Sequence, residues 1–245
     1  MTELAHAAVG AAGELRIGEL IGRTGRLLAR RPLRFLALAA IGGAPVLLLS
    51  LPGASETVTW SGVWIALAVQ TLLGFLVQGV TVHGAFQEMR GRPFTLVGSA
   101  APCLRHALPL LVAAVLTTVA TAAGFAALVF PGFMATTAWF VTAPACVVER
   151  LGPIASMERS AALTRGYRWK IFALFLIVGA AEQLTVQPLP DVLGGVVDPT
   201  VANLLQYGVQ TLWSSVDAVL AAVVYHALRA VKEGIDLDQI AGVFD

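Results

Sequence analysis

The sequence predicts an all-α polytopic membrane protein with six transmembrane helices and amphipathic helices at its cytoplasmic interface. Of the 245 residues, 57% are hydrophobic and only 13% are charged, whereas a soluble domain carries roughly 25% charged residues. Residues 107–148 contain no charge at all. As one helix they would extend about 63 Å, twice the roughly 30 Å hydrocarbon core of a bilayer. The chain must therefore cross the membrane there, turn and cross back.

The apolar runs predict six spans joined by short loops. The Pro-Gly pair at 131–132 is the predicted turn between the third and fourth spans. A cytoplasmic amphipathic segment, 1–34, precedes the membrane domain, 35–230, and a cytoplasmic tail, 231–245, follows it. The predicted spans are 35–52, 59–82, 107–130, 133–148, 171–188 and 201–228.

The basic residues predict the orientation. All 16 lysines and arginines lie before the first span, between the second and third, between the fourth and fifth, or after the sixth. The alternate loops, 53–58, 131–132 and 189–200, hold none. Because basic loops remain in the cytoplasm, both termini are predicted to be cytoplasmic. The net charge of +1 gives no reason to expect nucleic acid as a partner.

The segment before the first span has the pattern of an amphipathic helix. Four arginines recur at helical spacing and form one stripe, opposite Ile17, Leu20 and Leu27. A helix of this kind lies in the headgroup layer, where its arginines meet anionic lipid, or it packs its apolar face on protein. The arginines predicted to contact headgroups are Arg16, Arg23, Arg26 and Arg30.

Two further interfacial helices are predicted, at 94–106 and at 154–165. Pro102 interrupts the first of them. The second starts after Gly152-Pro153, because proline suits a first helical turn, and it ends at Gly166. Arg168, Trp169 and Lys170 then anchor the fifth span at the headgroups, the depth that tryptophan and long cationic side chains prefer.

Two carboxylates lie within the predicted spans. Glu182 is twelve residues from Lys170 and Asp217 is twelve residues from Arg229, so both lie roughly 18 Å deep. If they face each other they share a proton or hold a cation, since two such groups are not both ionised cheaply in low dielectric. The alternative is that each is a neutral carboxyl bonded to a neighbouring helix, or that Glu182 lies among the outer headgroups.

The sequence carries no recognisable catalytic or cofactor motif. It has no phosphate-binding loop, no nucleophile elbow and no zinc-protease motif. Cys103 and Cys146 lack metal-ligand spacing, so they are predicted to be free thiols. We therefore expect no catalytic residue, no metal and no cofactor.

Two segments together resemble the membrane domain of the glycerophosphoryl diester phosphodiesterase family. Residues from both segments carry the resemblance: Glu149, Gly152-Pro153, Arg159-Ser160, Leu163-Thr164, Gly166, Trp169, Phe172, Tyr225, Leu228-Arg229, Lys232-Glu233-Gly234, Asp236 and Phe244-Asp245. The resemblance implies a bacterial multi-helix membrane module. In the family such a module sometimes precedes a catalytic barrel of roughly 250 residues. This sequence holds no such barrel, so the resemblance implies no activity.

These observations favour a non-enzymatic accessory or scaffold module of the bacterial inner membrane. Its cytoplasmic face would engage membrane lipids or another membrane protein. The alternative is a transporter or lipid-handling protein that uses a polar site around Glu182 and Asp217. A membrane-embedded enzyme is a third reading, because carboxylates can do acid–base work but no nucleophile or metal set accompanies them.

Overall fold

The structure, a computed structural model, describes residues 15–50, 59–89, 96–193 and 196–233, and this part of the chain is helical almost throughout. The helices are α1 (Ile17–Arg30), α2 (Pro32–Ser50), α3 (Trp60–Met89), α4 (Leu96–Arg105), α5 (Ala107–Ala127), α6 (Val129–Trp139), α7 (Thr142–Glu149), α8 (Pro153–Thr164), α9 (Arg168–Val186), α10 (Leu189–Leu193) and α11 (Pro199–Glu233).

Five helical stretches in the described residues are long and apolar enough to cross a membrane. They are Trp60–Met89, Ala107–Ala127, Val129–Glu149, Arg168–Leu193 and Pro199–Glu233. This confirms the prediction of a polytopic helical membrane protein. The first predicted span, 35–52, corresponds to α2, whose apolar part, Pro32–Pro45, is shorter. The last two residues of this predicted span lie outside the described part of the chain, so the count of six transmembrane helices stays a prediction.

The last helix, α11, forms the centre of the bundle. Of its most apolar 18-residue window 72% is buried, against 22% for the corresponding windows of α3 and α5. Residues 218–228 are buried without a break, and α1, α2, α3, α7, α8 and α9 all contact α11. The hydroxyls of Tyr207 and Ser215 donate hydrogen bonds to the carbonyls of Ala40 and Phe35, which fasten α2 along α11.

The core lies towards one end of the bundle. We call this the basic end, formed by α1, α8 and the C-terminal turns of α11. Buried residues fall at 79–86 of α3, between Leu110 and Thr117 of α5, and at 218–228 of α11. Towards the opposite end large apolar side chains are exposed, among them Trp60, Leu67, Phe125, Leu184 and Leu204. Such a surface fits the acyl chains of a bilayer and does not fit water.

The hairpin between α5 and α6 turns earlier than the sequence predicted. Leu128, with φ −166° and ψ 152°, ends α5 and starts α6. The predicted turn at Pro131-Gly132 is therefore wrong, and both residues lie in the first turns of α6. Proline is tolerated there because the first N–H groups of a helix have no partner within it. A Cβ at Gly132 would lie 2.4 Å from ring carbons of Phe125, so the two helices approach closely only because this residue is glycine.

A kink at Phe140 and Val141 divides the predicted fourth span into α6 and α7. Pro144 causes it, because proline lacks an N–H and its ring crowds the carbonyl four residues earlier, that of Phe140. At the kink the carbonyl of Ala138 accepts hydrogen bonds from the hydroxyls of Ser160, at 2.8 Å, and Thr164, at 3.3 Å. Both donors belong to α8, so α8 stabilises the kink by binding the carbonyl of Ala138.

The predicted ends of α8 are confirmed. Pro153 is in its first turn, the helix ends at Thr164, and Gly166 has a φ of +88° that favours glycine. The segment predicted at 94–106 is helix α4, which begins at Leu96 and continues through Pro102 to Arg105.

Candidate functional site

Four charged side chains form a closed ring of alternating sign at the basic end. Glu149 ends α7, Arg159 lies in α8, and Arg229 and Glu233 lie near the end of α11. The Nε of Arg159 is 2.9 Å from both oxygens of Glu149, and its terminal nitrogen donates to Glu233. The Nε of Arg229 is 3.0 Å from a Glu233 oxygen and 3.7 Å from a Glu149 oxygen. We call this set the ionic ring.

Tyr225 joins the ionic ring to the apolar core. Its hydroxyl donates a 2.5 Å hydrogen bond to Glu149, and its ring is fully buried, edge-on to Phe86 at a centroid distance of 5.9 Å. The guanidinium of Arg229 lies 5.9 Å from the centroid of the same ring. The ion pairs of the ionic ring connect three helices, α7, α8 and α11. Because its two positive and two negative charges balance, the ring has no net charge that would attract a charged ligand.

The local sequence explains half of the ionic ring. Tyr225, Arg229 and Glu233 are spaced four residues apart, so they lie on one face of α11, one turn after another. Glu149 and Arg159 come to the same place because the chain reverses between α7 and α8. Arg150, at that reversal, has a φ of +53°. The four residues of the ionic ring and Tyr225 all belong to the family resemblance, but the sequence does not predict that they pair with one another.

Glu182 and Asp217 line one cavity between α9 and α11. Its volume is about 250 Å³, and the rest of its wall is apolar: Phe140, Leu174, Phe175, Val178, Gly179 and Leu220. No hydrogen bond joins the two carboxylates in the described part of the chain. That they lie within hydrogen-bond or one-water reach of each other stays a prediction.

Two aromatic side chains belong to the cavity wall. Phe140 and Phe175 pack edge-to-face with centroids 4.7 Å apart. About one turn from the carboxylates on each helix, the indole N–H of Trp213 donates a 2.8 Å hydrogen bond to the hydroxyl of Thr185. This hydrogen bond connects α9 to α11 on the side of the cavity away from the basic end. Asp217 itself is exposed at the bundle surface, so the cavity opens sideways between the two helices.

Three of the four stripe arginines of α1 face away from the bundle, whereas the Arg23 side chain is only 16% exposed. Leu20, Thr24 and Leu27 are buried, and α1 packs against α11. Arg23 pairs with Glu19 at 3.4 Å. The other three predicted headgroup contacts are exposed and have no acidic partner among the described residues: Arg16, Arg26 and Arg30.

The predicted anchor of the fifth span lies at the start of α9. Trp169 is 65% exposed and packs against Phe130 and Phe172, with ring centroids 6.3 and 5.9 Å away. Arg168 and Lys170 are half-buried. An exposed tryptophan between two cations is typical of a helix end in the headgroup layer.

The described residues contain no group of three or more His, Cys, Asp or Glu side chains that could hold a metal ion. Cys103 and Cys146 are free thiols, as predicted, and both are buried. Burial and, to a smaller extent, the neighbouring Cys146 raise the pKa of the Cys103 thiol to about 12. A protonated, buried thiol is a poor nucleophile, so Cys103 has the character of a packing residue.

Comparison of the chain with protein-family models, with curated proteins and with solved structures gave no match. The resemblance to the membrane domain of the glycerophosphoryl diester phosphodiesterase family therefore stays a prediction. The ionic ring and Tyr225 consist entirely of residues that carry that resemblance.

Proposed function

We propose that this protein is a non-enzymatic accessory or scaffold module of the bacterial inner membrane that engages lipid headgroups or a partner membrane protein at its basic end. The observation that carries the proposal is the orientation of α1. Its leucines pack on α11, while Arg16, Arg26 and Arg30 point outward with no acidic partner among the described residues. Anionic lipid phosphates in the headgroup layer are the partners that such a stripe meets.

The ionic ring supports this proposal because it fixes the geometry of the basic end. It joins α8 to α11, and Lys232 adds a hydrogen bond to the carbonyl of Ala162 near the end of α8. Arg165 and Trp169, which follow α8, are both exposed. The acids of the ring are already paired with arginines of the ring, so the exposed cations around it remain available for anions.

Replacing Arg16, Arg26 and Arg30 together with glutamine should reduce the anionic lipid that stays bound to the full-length protein. Each arginine near an anionic surface contributes about 1 kcal/mol of attraction. The measurement is the amount of phosphatidylglycerol retained after purification in mild detergent, by mass spectrometry. Lysine replacements at the same three positions keep the charge and should retain the lipid. Equal retention by the glutamine and native proteins would contradict lipid binding by the stripe.

Purification from native membranes tests the wider proposal. A scaffold module should co-purify with a stoichiometric membrane protein, with anionic lipid, or with both. Recovery of the bare chain, free of protein and lipid, would contradict it.

We propose six spans with both termini in the cytoplasm, and α2 is the span on which this count depends. α1 lies at the basic end, α3 begins with the exposed Trp60 at the opposite end, and α2 follows α11 from Phe35 to Ala40 between them. A helix of 19 residues extends about 28 Å, close to the roughly 30 Å thickness of the hydrocarbon core.

A cysteine at Pro199 should react with an impermeant thiol reagent in intact cells, and cysteines at Gly18 or Arg165 should react only after permeabilisation. All three positions are exposed. The buried native cysteines give a low background, and the raised pKa of Cys103 keeps that thiol protonated. Labelling at Gly18 together with Pro199 would show that α2 does not cross, and labelling at Arg165 in intact cells would reverse the orientation.

A second candidate function is a transporter or lipid-handling protein with an intramembrane carboxylate site. The cavity between α9 and α11 favours it, because Glu182 and Asp217 share that cavity with apolar and aromatic side chains. Ionisable groups inside a membrane bundle are costly, and they are typical of ion and substrate pathways.

A further inference from the structure

The size of the cavity between α9 and α11 limits what can fill it. A 150 Å³ apolar cavity takes up benzene, and this cavity has a volume of about 250 Å³. It therefore has room for a single aromatic ring or short aliphatic body with a small polar group attached. Six of the eight described lining residues are apolar, so they would make apolar contacts with the hydrocarbon part of such a ligand.

The charge of the lining selects the polar group. Among the described residues that line the cavity, Glu182 and Asp217 are the ionisable ones, and none is basic. An ionised carboxylate in this wall therefore has no basic partner among the described lining residues. An unpaired charge inside a membrane is costly. A single positive charge on the ligand would neutralise it.

The remaining wall favours an organic cation over a metal ion. Ca²⁺ takes six to eight oxygen ligands and Mg²⁺ six, whereas this wall offers two carboxylates beside phenylalanine and aliphatic side chains. The rings of Phe140 and Phe175 suit an ammonium group and its hydrocarbon body, through cation–π attraction and apolar contact. A phospholipid amine fits poorly, because its phosphate would enter a cavity whose ionisable residues are both acidic.

The opening of the cavity sets the route of entry. Asp217 is exposed at the side of the bundle, at a depth of about 18 Å from the basic boundary. The Trp213–Thr185 hydrogen bond ties the two helices together about one turn further along. A ligand therefore reaches the carboxylates sideways from the bilayer, which requires that it partition into lipid.

We propose that this cavity binds a small hydrophobic organic cation, a protonated primary amine on an aromatic or aliphatic body, with its ammonium at Glu182 and Asp217 and its body against Phe140 and Phe175. This assignment rests on the second candidate function, for which it names the ligand class.

Binding of 2-phenylethylammonium to the full-length protein in phosphatidylcholine nanodiscs tests the proposal. Calorimetry, corrected with empty nanodiscs, should show that the cation binds at least tenfold more tightly than its neutral counterpart 2-phenylethanol. Asp217→Asn and Glu182→Gln should each weaken binding of the cation at least tenfold and leave binding of the alcohol unchanged. Glu158→Gln, an exposed acid outside the cavity, is the matched control and should change neither affinity.

Gly179→Leu tests the location independently of charge. Gly179 lines the cavity and has open space beside it, so a leucine there should fill the cavity and remove binding of both probes. Retained binding of 2-phenylethanol by the asparagine variant shows that its cavity is still folded.

Three results would overturn the proposal. They are equal binding of the cation and the alcohol, cation binding that Asp217→Asn leaves unchanged, and loss of cation binding when phosphatidylethanolamine is added to the nanodiscs. The last result would identify a lipid headgroup as the occupant. Uptake of the amine into proteoliposomes separates this inference from transport, because binding without uptake supports the site and removes only the transporter function.

Discussion

Replacing Glu149 with glutamine is expected to lower the Tm of the full-length protein by about 5 to 15 °C. The change removes one of two negative charges from the ionic ring and leaves Arg159 and Arg229 to share Glu233. Breaking a buried ion pair costs about 3–5 kcal/mol. The ring side chains are 14–27% exposed, so we expect somewhat less, about 2–4 kcal/mol, with roughly 2–4 °C for each kcal/mol in a chain of this size.

The matched control is Glu158→Gln, the same chemical change one residue before Arg159 on the exposed side of α8. It should leave the Tm unchanged, because exposed charges contribute little. Tyr225→Phe, which removes the hydroxyl bonded to Glu149, should give a smaller loss of about 1 kcal/mol. Equal Tm values for the two glutamine variants would show that the ionic ring contributes nothing to stability.

Replacing Gly132 with alanine is expected to destabilise the α5–α6 hairpin by about 1–3 kcal/mol, the usual cost of overpacking. The new methyl would lie 2.4 Å from Cγ and Cδ1 of the Phe125 ring, so either that ring must leave its rotamer or the two helices must move apart. Phe125 is itself held edge-to-face against Phe133, with centroids 5.3 Å apart. The measurement is the Tm of the purified protein in detergent, which should fall by several degrees.

Gly74→Ala is the control for this experiment. Gly74 also lies inside a helix, α3, but nothing lies within 4 Å of the position its Cβ would take. Alanine favours a helix over glycine by about 1 kcal/mol, so this variant should be as stable as the native protein or more stable. If Gly132→Ala were as stable as Gly74→Ala, the close approach of α5 and α6 would not depend on glycine.

Local signals in the sequence predicted local features of the fold correctly. Gly152-Pro153 and Gly166 predicted both ends of α8, because first-turn proline and positive-φ glycine act through the backbone of the residue itself. The uncharged stretch from 107 to 148 predicted a hairpin for a similar reason, since its length alone exceeds one crossing of the membrane.

Signals that depend on position within a helix gave the wrong answer. The Pro131-Gly132 pair predicts a turn, but proline interrupts a helix only after its first turn, and Pro131 is the third residue of α6. The same reasoning applied to Pro144 would have predicted the kink at Phe140, four residues earlier.

Which side chains meet in the candidate sites depends on how each helix is rotated about its axis. Counting residues from the membrane boundary predicts only the depth of a side chain. Counting residues from Lys170 and Arg229 placed Glu182 and Asp217 at one level, and the structure puts both in the wall of one cavity. Predicting the ionic ring also requires the packing of distant helices. The spacing of Tyr225, Arg229 and Glu233 is visible in the sequence, but Glu149 and Arg159 come from about 70 residues earlier, and only the packing of α8 on α11 brings them there.

The central place of α11 has a consequence for how the protein is made. A ribosome adds about 5–20 residues per second, so some 10–40 s separate the synthesis of α1 from that of residues 218–228. Throughout that time Leu20 and Leu27 lack the helix that later buries them. A helix with leucines on one face and arginines on another rests meanwhile in the headgroup layer. α1 therefore completes its packing only after α11 has been made, and it reaches α11 from the membrane surface.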